Sequence, residues 1–249
     1  MFTRTAVVAT LSFCVTVACG AGQTPGTQPH DMSAAEHDRL AREEQGAAQA
    51  HAAQFAPDAG VIEPNCSDVL GRDICWASAT NPTKEHVERA EEHRKRAAEH
   101  RAASAALRDA EARACAGIAA HDRDESPFDH REDIAAVSPI YASEGEPGSS
   151  AGAGYVSGAR GQRLEGANVT FRAVPGMTAQ WLQRTVDCHL ARNAALGHDV
   201  AEMAYCPLVP KGVSAKVSGT TTGFAVALRS DDPNAAREIV RRAQALLSR

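Results

Sequence analysis

Three histidines recur at seven-residue intervals, His86, His93 and His100, with Ala90 and Ala97 between them. On a helix a seven-residue step returns nearly to the same face, so these imidazoles share one side of one rod. Imidazole ligates metals such as Zn²⁺ or Cu and titrates near neutrality, which makes the series a candidate for metal uptake or a pH response. Successive members stand about 10.5 Å apart along the axis, too far for one ion on a single helix. A partner helix is required. His37 and His51, fourteen residues apart, would supply cross-helix histidine pairs in an antiparallel hairpin. The competing reading is a solvated or small-residue seam in which histidine is amphipathic filler, and metal is not the favoured assignment.

A second set is Cys188-His189, His198 and Cys206. Two sulfurs and two imidazoles could bind Zn²⁺ tetrahedrally, and thiolate suits Cu(I). Adjacent helical residues point about 100° apart, which argues against Cys188 and His189 ligating one ion together. Asp122-x-Asp124-x-Ser126 starts like a calcium loop with Asp133 at its twelfth position, but Pro127 stands where such a loop turns on glycine. Cys115, His121 and His130 lie among carboxylates and raise the idea of a cysteine nucleophile or a metal. No nucleophile elbow, oxyanion-type glycine loop, phosphate-binding loop or metalloprotease helix accompanies them. No catalytic residue is assigned.

The first twenty residues carry a single cation, Arg4, an uncharged apolar run from Ala6 to Val17, and then Ala18-Cys19-Gly20. The run has roughly a dozen residues, short of the about 20 needed to cross a bilayer, and reads as a discarded export signal. Export places the chain where cysteines oxidise. Cys14 leaves with the signal, and five cysteines remain besides Cys19. Pairing by proximity joins Cys66 with Cys75 and Cys188 with Cys206, leaving Cys115 over. The formal net charge of -5, with both signs interspersed, leaves no basic face for a phosphate backbone and excludes nucleic acid as the expected partner.

Val17-Ala18-Cys19 resembles the lipobox of bacterial lipoprotein precursors. The resemblance implies acylation of Cys19, which becomes the first mature residue and holds the protein on a membrane. Neither residue after Cys19 is acidic, so by the same analogy the chain sits in the cell envelope on the outer membrane, facing the periplasm. An ordinary secretory cut near Ala18 or Ala21 is the alternative.

The elements that must position these groups follow from composition and punctuation. Hydrophobic residues make up 43 %, but aromatics only 4 %, and alanine supplies much of the apolar count. Alanine buries little area, so a sizeable core forms in only part of the chain. Residues 1–19 are signal and lipobox, and 20–32 a flexible Gly/Thr/Gln/Pro tether. Residues 33–121 form a long helical hairpin with a cysteine-containing loop. Ser33-Ala34-Ala35-Glu36 caps a helix over about 34–54, and a second helix runs from Asn81-Pro82-Thr83 with no breaker until Gly117. The intervening loop is closed by the Cys66–Cys75 ring, with Trp76 as its plug. Residues 122–163 are a charged, then Gly/Ser-rich linker. Residues 164–249 read as β-α-β-β-α, giving an α+β fold with a ferredoxin-like C-terminal domain. That pattern lacks its final strand unless residues near Tyr155, or 134–141, supply an edge.

At the first strand-helix junction the chain reads Val174-Pro175-Gly176-Met177-Thr178-Ala179-Gln180-Trp181-Leu182. Together with the β-α-β-β-α order over about 80 residues, it resembles the heavy-metal-associated domain, whose Gly-Met-Thr-Cys-x-x-Cys loop binds a soft metal. The two metal-binding cysteines fall on Ala179 and Leu182, which have no ligand atom, so the resemblance implies a kept scaffold and a lost site. These readings converge on a non-enzymatic, membrane-tethered module that binds or scaffolds a protein partner whose identity is unknown, with no cofactor. The alternatives are a metal-binding envelope protein that takes Zn or Cu on His86, His93, His100 or Cys115, and a hydrolase or thiol enzyme.

Overall fold

The computed structural model describes residues 24–142 and 162–247. The leader with Cys19 and the glycine-rich stretch from 143 to 161 lie outside the described residues.

Helix α1 (Ala34–Gln54) begins where the Ser33 hydroxyl accepts the Glu36 backbone N–H at 3.1 Å. Helix α2 (Lys84–Ala114) runs antiparallel to it for 31 residues, about 46 Å. Neither helix has an apolar stripe of large side chains. The seam is built instead on Ala41, Ala48, Ala90 and Ala97, all buried, whose small size lets the two backbones approach closely. Their outer faces carry ion pairs one turn apart, such as Arg39–Glu43, Arg89–Glu85 and Lys84–Glu88. Exposed pairs of this kind add a few tenths of a kcal/mol each, about 0.3–0.5.

The segment joining the helices is a β-hairpin rather than a loop. Strands β1 (Val61–Val69) and β2 (Arg72–Thr80) pair in register around Leu70-Gly71, both at positive φ, +57° and +77°. That is the turn geometry that matches the twist of a two-residue hairpin. Cys66 lies directly opposite Cys75 with Cα atoms 4.1 Å apart, and a disulfide joins them. Trp76 plugs nothing. It faces Asn65 across the ladder and is 52 % exposed, because a two-stranded sheet offers no interior to fill.

The expected flexible tether is folded from Thr24 onward. Thr27 is buried, Pro29–Asp31 form a short 3-10 turn against α2, and the Gln28 carbonyl accepts a hydrogen bond from His37. Polar composition suggested mobility, but the backbone here supplies the partner that a buried imidazole needs.

The second half holds a four-stranded antiparallel sheet in the order β3 (Ile134–Tyr141), β4 (Leu164–Arg172), β6 (Gly223–Arg229), β5 (Ser214–Thr220). Helices α4 (Ala179–Ala195) and α5 (Pro233–Ala245) cross it, α4 beside β5 and α5 over β4. Thr178 and Asp232 cap them through their side-chain oxygens. Period-two alternation sends Val169, Phe171, Val226 and Leu228 inward, where they meet Leu182, Val186, Ile239 and Phe128. The expected linker boundary is corrected here. Residues 120–124 form a short helix, α3, against α4, and Ile134–Tyr141 is the edge strand of the sheet. That strand is one of the two segments offered above for the missing edge, although Ile134 alone among its residues is buried.

The cysteine map is also corrected. Cys188 pairs with Cys115, not Cys206, at a Cα separation of 4.5 Å. Cys188 sits on the α4 face that meets the end of α2, beside Ile118, whereas Cys206 points into the main core. Sequence proximity, eighteen residues against 73, was the wrong guide because the two sulfurs occupy different faces. The bridge, together with Leu107 and Ala34 packed on Ala195, docks the helical hairpin on the sheet domain.

Candidate functional site

The antiparallel seam carries three layers of polar side chains among its alanines. His51 meets His86, Glu44 meets His93, and His37 meets His100. Each step of seven along α1 is matched by a step of seven back along α2, so one periodicity on each helix generates all three layers. Expected cross-helix histidine pairs thus form at His37 and His51. Sequence reasoning missed Glu44, although it falls midway between those two histidines at the same spacing and could have been found by extending the series.

The inner layer is closed. His37 is fully buried and His100 nearly so, with their Nδ1 atoms 3.0 Å apart. His37 Nε2 lies 3.0 Å from the Gln28 carbonyl, which can only accept, so that nitrogen carries the proton. In the neutral pair His37 Nδ1 is therefore the acceptor and His100 Nδ1–H the donor. Burial, and then the charge His37 would carry, hold the His100 pKa below the ordinary imidazole value.

The middle and outer layers are half-open. His93 Nδ1 donates to Glu44 at 2.5 Å, and Arg96 stands 3.7 Å from the other oxygen of the same carboxylate. His51 and His86 face each other through Nδ1 atoms 3.1 Å apart. The His93 ring stacks on His51 at 5.4 Å, with the ring planes 14° apart. Burial first, then the neighbouring His86 and His93, push the His51 pKa down.

No protein family, curated protein sequence or solved structure matches this chain.

The remaining candidates separate. Cys115 is spent in its bridge to Cys188. Cys206 is a buried free thiol whose Sγ lies 3.2 Å from the Ser126 hydroxyl, and burial pushes its pKa up to about 11. His189 is fully buried on α4 with Nε2 3.0 Å from the Asp122 carbonyl, and His198 Nδ1 lies 2.9 Å from the Val209 carbonyl. The Cys188, His189, His198, Cys206 set is thus taken apart: one sulfur is bridged, and each imidazole is committed to a carbonyl. His121, Glu125 and His130 gather their ligand atoms within 4.8 Å, but all three are exposed. At the resembling turn, Gly176 takes a positive φ of +86° and Thr178 caps α4, a structural role that needs no ligand. Ala179 is the first residue of α4, and Leu182 is buried in the core.

Proposed function

We propose that this chain is a non-enzymatic binding or scaffolding module of the bacterial cell envelope, lipid-anchored through Cys19 to the outer membrane and facing the periplasm. A ferredoxin-like domain then serves as the base, with the helical hairpin as an arm. The strand order β3-β4-β6-β5 supports that base, since β3 takes the edge that the final strand of a β-α-β-β-α-β unit would fill. The observation that carries the reading is the tip of the arm. The stapled hairpin presents Ile62 at 75 %, Leu70 at 100 % and Trp76 at 52 % exposure, apolar area that a protein partner would cover. Cys115 is bridged and Cys206 is a buried thiol, so neither offers the exposed thiolate that a thiol enzyme would use.

Two measurements test it together. Radiolabelled palmitate should enter the chain in cells and be lost in Cys19→Ser. A photo-crosslinker at position 70 should trap a defined envelope protein that one at exposed Arg237 on α5 does not. Label that persists in C19S refutes the anchor, and identical adducts from both positions refute the tip as the binding surface.

A second reading, a metal-binding envelope protein, is favoured by one specific observation: paired imidazole nitrogens face each other across the seam instead of pointing to solvent.

A further inference from the structure

We propose that His51 and His86 form a two-imidazole clamp for one divalent transition ion of the Zn²⁺, Ni²⁺ or Cu²⁺ type, at the outer end of the helical arm. This rests on the metal-binding reading and names its site. Zinc–imidazole bonds run about 2.0–2.1 Å, so two ring nitrogens up to about 4 Å apart can share an ion. His51 Nδ1 and His86 Nδ1 are 3.1 Å apart. The His93 ring borders the pair by stacking on His51 and brings no third ligand atom within reach of it. Its Nδ1–H is held by Glu44, which fixes the ring that His51 stacks against.

The choice of layer follows from access and proton bookkeeping. In the His37–His100 pair both rings are buried and His37 Nε2 is tied to Gln28, so an ion would have to displace two hydrogen bonds inside the packed seam. His51, His86 and His93 are only half-buried. Glu44 and Glu85 provide nearby negative charge, each already balanced by an arginine, Arg96 and Arg89 respectively. His51 lies in the last turn of α1 and His86 in the first turn of α2, on either side of the root of the stapled β-hairpin. A bound ion therefore crosslinks the two helix ends that carry the tip and restrains the surface proposed to meet a partner.

The test is calorimetric titration of the purified full chain with Zn²⁺ at pH 7.5 in a non-coordinating buffer, repeated on variants whose helicity is checked by circular dichroism. One Zn²⁺ per chain is expected. Affinity should fall at least about tenfold in His51→Ala and in His86→Ala. His130→Ala should leave it unchanged. Uptake that survives both histidine variants but is lost in H130A overturns the clamp alone, placing the ion on one of the two exposed groups that share His130, with His121 and Glu125 or with Glu132 and Asp133. No uptake by the wild-type chain overturns the clamp and the metal-binding reading together. Should the variants unfold, paramagnetic resonance of Cu²⁺ on the wild-type chain decides: coupling to at least two ring nitrogens is expected, and fewer than two overturns the clamp.

Discussion

A proton count at His37 and His100 gives the seam a direction of response to acid. Their facing nitrogens accommodate one proton between them, and the second ring must stay neutral for the hydrogen bond to survive. His100 also faces Glu44 from α1 and Glu99 from its own helix, which oppose the shift, but burial and His37 outweigh them and the pKa stays depressed. His51, His189 and His198 are depressed as well, each chiefly by burial. The folded state therefore prefers neutral rings. Its stability from this source is complete above the unfolded value near 6.5 and is lost as pH falls below it. Urea denaturation should give a lower midpoint at pH 5.5 than at 7.5, and His100→Gln should narrow that gap. A midpoint that rises on acidification would contradict the neutral-pair assignment. Cys206 provides a second test at this scale: with its thiol buried and its pKa near 11, iodoacetamide should leave it unmodified in the native protein and alkylate it only after unfolding, read by intact mass.

Among the elements, the Cys115–Cys188 bridge couples the arm to the base. It closes a loop of 73 residues between the C-terminus of α2 and the middle of α4. Loop-closure entropy puts its contribution at roughly 4–4.5 kcal/mol. The double variant Cys115→Ser/Cys188→Ser should lose about that much in chemical denaturation, and peptide mapping without reduction should recover Cys115 joined to Cys188 and no peptide joining Cys206. Cys66–Cys75 spans nine residues on an isolated hairpin, so its removal should leave the global transition nearly in place. Gly223 makes a different demand. It opens β6 at φ +155°, and a side chain there would run into the Phe171 carbonyl of β4. Gly223→Ala should destabilise the sheet by more than the about 1 kcal/mol typical of a point substitution, measured against a surface control such as Ala135→Ser.

At the scale of the whole molecule, stability and recognition occupy different ends. The largest fully buried apolar side chains, Phe128, Phe171, Leu182, Leu208, Leu228 and Ile239, belong to the sheet domain, while the stapled hairpin leaves its apolar groups in solvent. Among the described residues its strands pair only with each other. Replacing residues 60–81 with a short Gly/Ser turn should thus shift the calorimetric Tm by no more than a few degrees. A fall beyond about 10 °C would show that the hairpin supports the fold.

Much of this architecture is written in local chemistry. Ser33, Thr178 and Asp232 cap helices where an oxygen meets free N–H groups a few residues on, and alternation marks β4, β5 and β6, because both signals act over one turn or one pleat. Heptad spacing likewise put His86, His93 and His100 on one face before any partner was known. Tertiary packing decided the rest. It chose Cys115 for Cys188 across 73 residues, set Glu44 against His93 across 49, and gave the sheet edge to Ile134–Tyr141, one of two segments the sequence had left as candidates. Those choices depend on which surfaces meet once apolar area is buried, and nothing within a few residues of either partner carries that information.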